Sequence, residues 1–239
     1  MALKTIEYKE ATFRVAYDII NNNKEKTILI LHGWGSNKEI MKKSFSKELK
    51  EYKHIYMDLA GFGKSSNDIA LTTSDYSLLI KIFLDSINLK SDIIMGHSFG
   101  GKVATLLEPK CLILLSSAGV LVPKSFKIRL RISIFKLLKP FKIFSKLFRS
   151  SDVDGMSQNM YETFKNVVNE EFEDNFINST SKALCFWGKD DTATPLWTGE
   201  RISSLIKDSE LYPLDGDHFF FVKHASFISK TITSQCKDY

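Results

Sequence analysis

The sequence predicts an α/β protein built on a mostly parallel, doubly wound sheet. Six short apolar runs carry that prediction, several of them continuously hydrophobic, as strands covered on both faces must be. Segments of helical length and pattern alternate with these runs, the arrangement that folds into strand–helix–strand units. Ahead of them, Ile6, Tyr8, Phe13, Val15 and Tyr17 recur at period two and predict an antiparallel hairpin.

In chain order the strands fall at 27–31, 54–57, 92–95, 111–115, 183–187 and 210–214, with helices near 38–51, 73–89, 100–107, 196–207 and 221–233. One interval breaks the alternation. Nearly seventy residues separate Leu115 from Ala183, far more than a normal connection. Within it, residues 119–151 hold nine basic side chains (Lys124, Lys127, Arg129, Arg131, Lys136, Lys139, Lys142, Lys146 and Arg149) and no acid. Removing those nine from the net charge of +5 leaves −4 on the remainder, so the basic balance of the chain lies in this insertion. From Ile134 onward Leu137, Leu138, Phe141, Phe144 and Phe148 keep helical spacing, with Lys139, Lys142, Lys146 and Arg149 on another face. Pro140 divides the pattern into two helices and stands near the start of the second.

Composition excludes several classes. Of 239 residues 44% are hydrophobic, which is too many for a disordered chain and enough for one domain with an inserted subdomain. The longest apolar stretch, 112–122, is about half the ~20 residues that span a bilayer. The first twenty residues mix charges with apolar side chains and show no secretory pattern. Cys111, Cys185 and Cys236 are an odd, dispersed set, read as buried or reduced thiols of a cytoplasmic protein with no metal site.

The chemistry lies in the turns after the strands. Gly96-His-Ser-Phe-Gly100 follows the strand at 92–95 and opens a helix, the context in which Gly-x-Ser-x-Gly exposes a serine hydroxyl on a strained turn. His32-Gly-Trp-Gly35 follows the first parallel strand, Asp191 the strand at 183–187, and His218 the last strand. Serine, acid and histidine thus occur in the order expected when all three sit at carboxyl ends of successive strands.

With these motifs, and with Asp58-Leu-Ala-Gly-Phe-Gly-Lys-Ser65, the sequence resembles the α/β-hydrolase family across residues 28–220. Ala60 departs from the proline usual there. The resemblance implies that Ser98 is the nucleophile, His218 the base and then acid, and Asp191 the group that orients His218. It selects Asp191 over Asp190 by the distances to Gly188 and Pro195. It also implies that the amides of Phe99 and Trp34 form the oxyanion hole, and that no cofactor is needed. The insertion would be a helical cap, 120–178, set into a core of 1–119 and 179–239, with Phe141, Phe144 and Phe148 as candidates to line an acyl pocket. The expected activity is hydrolysis of carboxylic esters of small or medium acyl chains. A carbon–carbon bond hydrolase, a thioesterase or a peptidase would use the same triad. A serine at position 98 argues against the family's dehalogenases and epoxide hydrolases, which require aspartate there.

The remaining polar residues of these motifs have structural readings. Asp58 is expected to hold its loop, Asp215 and Asp217 to shape the turn before His218, and His32 and His97 to bond loops rather than move protons. His224 reads as a surface or packing residue.

Two readings from other classes compete. Gly96 to Lys102 also fits Gly-x-x-x-x-Gly-Lys, but Val103 stands where a phosphate-binding loop needs a hydroxyl for magnesium. A binding module on a dead hydrolase would have no physical reason to retain all three triad groups. The basic insertion can be a solvated face over a packed stripe, can steer an acidic carrier or anionic substrate, or can rest on an anionic membrane surface. Nothing resembles a nucleic-acid platform.

Overall fold

In the computed structural model, which describes residues 1–122 and 157–237, eight strands form one sheet in the order β1-β2-β4-β3-β5-β6-β7-β8. The antiparallel hairpin is β1 (Ala2–Tyr8) and β2 (Ala11–Ile20), joined by Lys9 and Glu10, both at positive φ. Such a two-residue turn matches the right-handed twist of the strands it joins. β2 then pairs antiparallel with β4 (Lys53–Met57). The other pairings, among β3 (Thr27–Leu31), β4, β5 (Ile93–His97), β6 (Cys111–Leu115), β7 (Lys182–Gly188) and β8 (Ser209–Leu214), are all parallel.

The central strands are continuously apolar because the sheet is covered on both sides. Alternate residues serve the two faces. Leu29, Leu31, Ile94, Leu112, Leu114 and Trp187 pack under α2 (Thr73–Ser86), α3 (Phe99–Leu106) and α6 (Leu196–Leu205). Ile28, Ile30, Met95, Ile113, Leu115 and Phe186 pack against α1 (Lys38–Phe45) and α7 (Phe221–Gln235). Thr72 starts α2 with a reciprocal capping box to Asp75, and Asn37 caps α1 by accepting from the Glu39 amide.

Within the long interval the chain forms α4 (Gln158–Val168) and α5 (Glu173–Ile177). The expected cap residues Phe141, Phe144 and Phe148, and all nine basic side chains, lie outside the described residues. No helix among the described residues is long and apolar enough to cross a membrane.

The cysteine expectation needs correction. Cys111 and Cys236 are joined in a disulfide, and only Cys185 is a free, buried thiol. The first residue of β6 and the residue ending α7 belong to the same core layer, with Cα atoms 6.3 Å apart, although 125 positions separate them in sequence. Linear spacing carries no trace of that meeting, so cysteine usage no longer argues for a reducing compartment.

Candidate active site

Ser98 sits between β5 and α3 with φ 51° and ψ −117°, a backbone conformation that side chains rarely adopt. The flanking glycines permit it by close approach. A Cβ on Gly96 would strike the Gly100 backbone, and one on Gly100 would strike the carbonyls of His32 and Leu31. The turn is held by the Ser98 amide donating to the Leu115 carbonyl at 3.0 Å and the Ala118 amide donating to the Ser98 carbonyl at 3.1 Å. Strain at Ser98 is therefore over-determined by its surroundings.

Asp191 and His218 meet, 27 positions apart in sequence, where the loops after β7 and β8 converge. His218 Nδ1 donates to Asp191 Oδ2 at 2.7 Å. Asp191 is buried, and its carboxylate also accepts from the amides of Ala193 and Thr194 at 2.8 and 2.9 Å and from the Thr194 hydroxyl at 2.9 Å. Burial alone would raise its pKa. The bonds from His218 and from the Thr194 amide outweigh burial and hold it at about 2. Thr194 is also anchored by the Trp187 indole, which donates to its carbonyl at 2.7 Å. Asp190, one residue earlier, is exposed.

Ser98 is not yet joined to this pair. No hydrogen bond within 3.5 Å links its Oγ to His218. The link runs through the preceding residue: His97 Nε2 donates to the His218 carbonyl at 2.9 Å, and the two rings lie 4.6 Å apart. Catalytic hydrogen bonds commonly tighten only when substrate is bound. Burial, reinforced by the neighbouring His218, pushes the pKa of His97 down to about 3, so this ring stays neutral.

The other residues singled out by sequence fall as follows. Phe99 is the first residue of α3, where amide donors lack intrahelical acceptors. Trp34 lies in the turn after β3, its ring 5.5 Å from that of Phe99. His32 donates from Nδ1 to the Gly33 carbonyl at 2.8 Å and accepts from the Leu59 amide at 3.0 Å, so it bonds loops together. Asp58 holds its loop by accepting from the amides of Lys38 and Lys64 at 2.7 and 3.0 Å. Asp217 shapes the turn at His218 by accepting from the Phe219 amide at 2.9 Å, while Asp215 pairs outward with Lys189. His224 is half-buried and bonds the Asp215 carbonyl.

Sequence reasoning missed two residues, Thr194 and Glu170, and gave Lys102 only a phosphate-loop role. Thr194 orders the acid, and its place three residues after Asp191 was the available signal. Lys102 is buried against Glu170 at 2.5 Å rather than free for phosphate, which removes the phosphate-loop reading. Both line a cavity of about 490 Å³ together with Trp34, Ser98, Phe99 and Phe164.

Comparisons with known proteins agree with this layout. The sequence profile of the alpha/beta hydrolase family matches residues 28–228. The chain is 25% identical over 240 residues to YugF of Bacillus subtilis, described as an uncharacterised hydrolase, covering 84% of this chain and 85% of that protein. In fold it is similar to an esterase from Exiguobacterium antarcticum, with a TM-score of 0.74, 21% identity, and coverage of 94% of this chain and 96% of the other. An enol-lactonase from Burkholderia xenovorans is similar at a TM-score of 0.73 and 15% identity, with coverage of 94% and 97%.

Proposed function

From the premise that the chain belongs to the alpha/beta hydrolase family, we propose that it is a serine hydrolase that cleaves carboxylic esters of small or medium acyl chains. The observation that carries this reading is the 2.7 Å contact of His218 with a buried, ionised Asp191, beside a strained serine on the wall of a mostly apolar cavity. A serine hydroxyl is a weak nucleophile until a base takes its proton, and a carboxylate fixes the imidazole with Nδ1 protonated so that Nε2 can act as that base.

In the reaction Ser98 Oγ attacks the ester carbonyl while its proton passes to His218 Nε2. Asp191 stabilises the imidazolium, and the amides of Phe99 and Trp34 receive the developing oxyanion. Collapse expels the alcohol, which takes the proton from His218, and leaves an acyl group on Ser98. Water, deprotonated by His218, then releases the acid. Of the interval 120–178, the described residues Phe164, Val167 and Glu170 line this cavity, which supports reading the interval as a cap. Two similar solved structures carry the descriptions esterase and enol-lactonase, which supports the ester reading.

A panel of p-nitrophenyl esters of increasing acyl length, run beside a thioester and a dienoate, tests the proposal. Saturable hydrolysis that is fastest with short or medium esters is the expected result, together with stoichiometric labelling of Ser98 by a fluorophosphonate. Folded protein that neither labels nor turns over any substrate refutes it.

A further inference from the structure

Among the described residues the cavity beside Ser98 is walled by apolar side chains except where Lys102, Asn169, Glu170 and Thr194 enter it. The proposed reaction uses neither member of the Lys102–Glu170 pair. Lys102 lies one helical turn beyond Ser98 on α3, about 6 Å along the helix axis. Its ammonium is held on several sides: it donates to the Val167 carbonyl at 2.9 Å, pairs with Glu170, and lies 5.0 Å over the Phe172 ring. Burial lowers the Lys102 pKa, against the pull of Glu170. Glu170 Oε2 receives both that ammonium and the Thr73 hydroxyl, each at 2.5 Å. Its other oxygen, Oε1, has no partner among the described residues, and the side chain keeps 27% of its surface exposed.

The cavity is thus lined by a carboxylate that is fixed through one oxygen, while the other has no partner among the described residues. On the reading of Ser98 as nucleophile, we propose that Glu170 is a specificity-determining residue, selecting acyl groups that carry a hydrogen-bond donor, such as a hydroxyl, on the chain near the ester carbonyl. A hydroxyl gives Glu170 a charge-assisted hydrogen bond. A methyl in its place displaces water from the carboxylate and returns nothing. A carboxylate-bearing acyl group meets the like charge of Glu170, and two of the three Lys102 N–H donors are already committed to Val167 and Glu170.

The test uses methyl esters with a hydroxyl at carbon 3 or carbon 6, each compared with the chain bearing a methyl and the chain bearing a methoxy group there. Acid release is followed by pH-stat. For at least one position kcat/KM should favour the hydroxyl over the methyl by about tenfold, the equivalent of one hydrogen bond. In Glu170→Gln, Lys102 and Thr73 hold the amide oxygen and turn its NH2 into the cavity, so the preference for hydroxyl over methoxy should vanish or reverse. A second arm needs no variant: monomethyl adipate should be about tenfold poorer than the best hydroxy ester, with the gap narrowing as salt is added. Equal rates with hydroxyl and methyl at both positions in an active enzyme overturn the proposal, as do a preference unchanged in a folded Glu170→Gln protein and a preference for the adipate. Absence of all turnover and of fluorophosphonate labelling overturns the hydrolase reading beneath it, and is thereby distinguishable.

Discussion

Ser98→Ala should lower kcat on the best ester by at least ~10⁴-fold and abolish fluorophosphonate labelling, with the thermal unfolding midpoint nearly unchanged or raised. The loss is large because no other hydroxyl takes over the attack, and serine, imidazole and carboxylate act as a unit whose residual rate comes from binding and the oxyanion hole alone. Stability is spared because the positive φ at Ser98 is held by backbone bonds to Leu115 and Ala118, which alanine retains. The measurement is steady-state hydrolysis with calorimetry on the same preparation. Substantial turnover in the variant would move the nucleophile elsewhere.

Asp191→Asn should reduce kcat by roughly 10⁴-fold, since an amide in that place favours the wrong histidine tautomer. It has a second, independent signature. The Asp191 carboxyl is held at about 2 in the fold, against an ordinary carboxylate value near ~3.9. A group with a depressed folded pKa contributes stability above its unfolded pKa and loses that contribution as pH falls through the folded value. The wild-type advantage, on the order of 2 kcal/mol, should therefore be complete above about pH 4 and fade toward pH 2. Urea unfolding of both proteins across that window checks it, and a stability gap that does not depend on pH would mean that Asp191 is not ionised in the fold.

Legibility differed by element for physical reasons. The strands at 27–31 and 111–115 match their predicted limits because a strand buried on both faces must be apolar at every position, and the sequence changes character at its ends. The strand expected at 92–95 lies slightly later, since β5 (Ile93–His97) runs on through Gly96 and His97 into the turn that carries Ser98. The order of Ser98, Asp191 and His218 was legible because each follows a strand, and the sheet brings those ends together. The Asp191–His218 contact could not be read, nor the gap that separates His218 from the Ser98 hydroxyl. The Lys102 contact with the Val167 carbonyl spans 65 positions, and the Cys111–Cys236 bond spans 125. Such meetings depend on which layer each element joins, and no local periodicity encodes that.

The tilted pair of imidazoles at the site has a kinetic consequence. His97 cannot accept a proton until roughly pH 3, and its Nε2–H is committed to the His218 carbonyl, so this ring gains no charge over the range in which enzymes are assayed. The acid limb of a log rate against pH plot should accordingly carry no ionisation that belongs to residue 97.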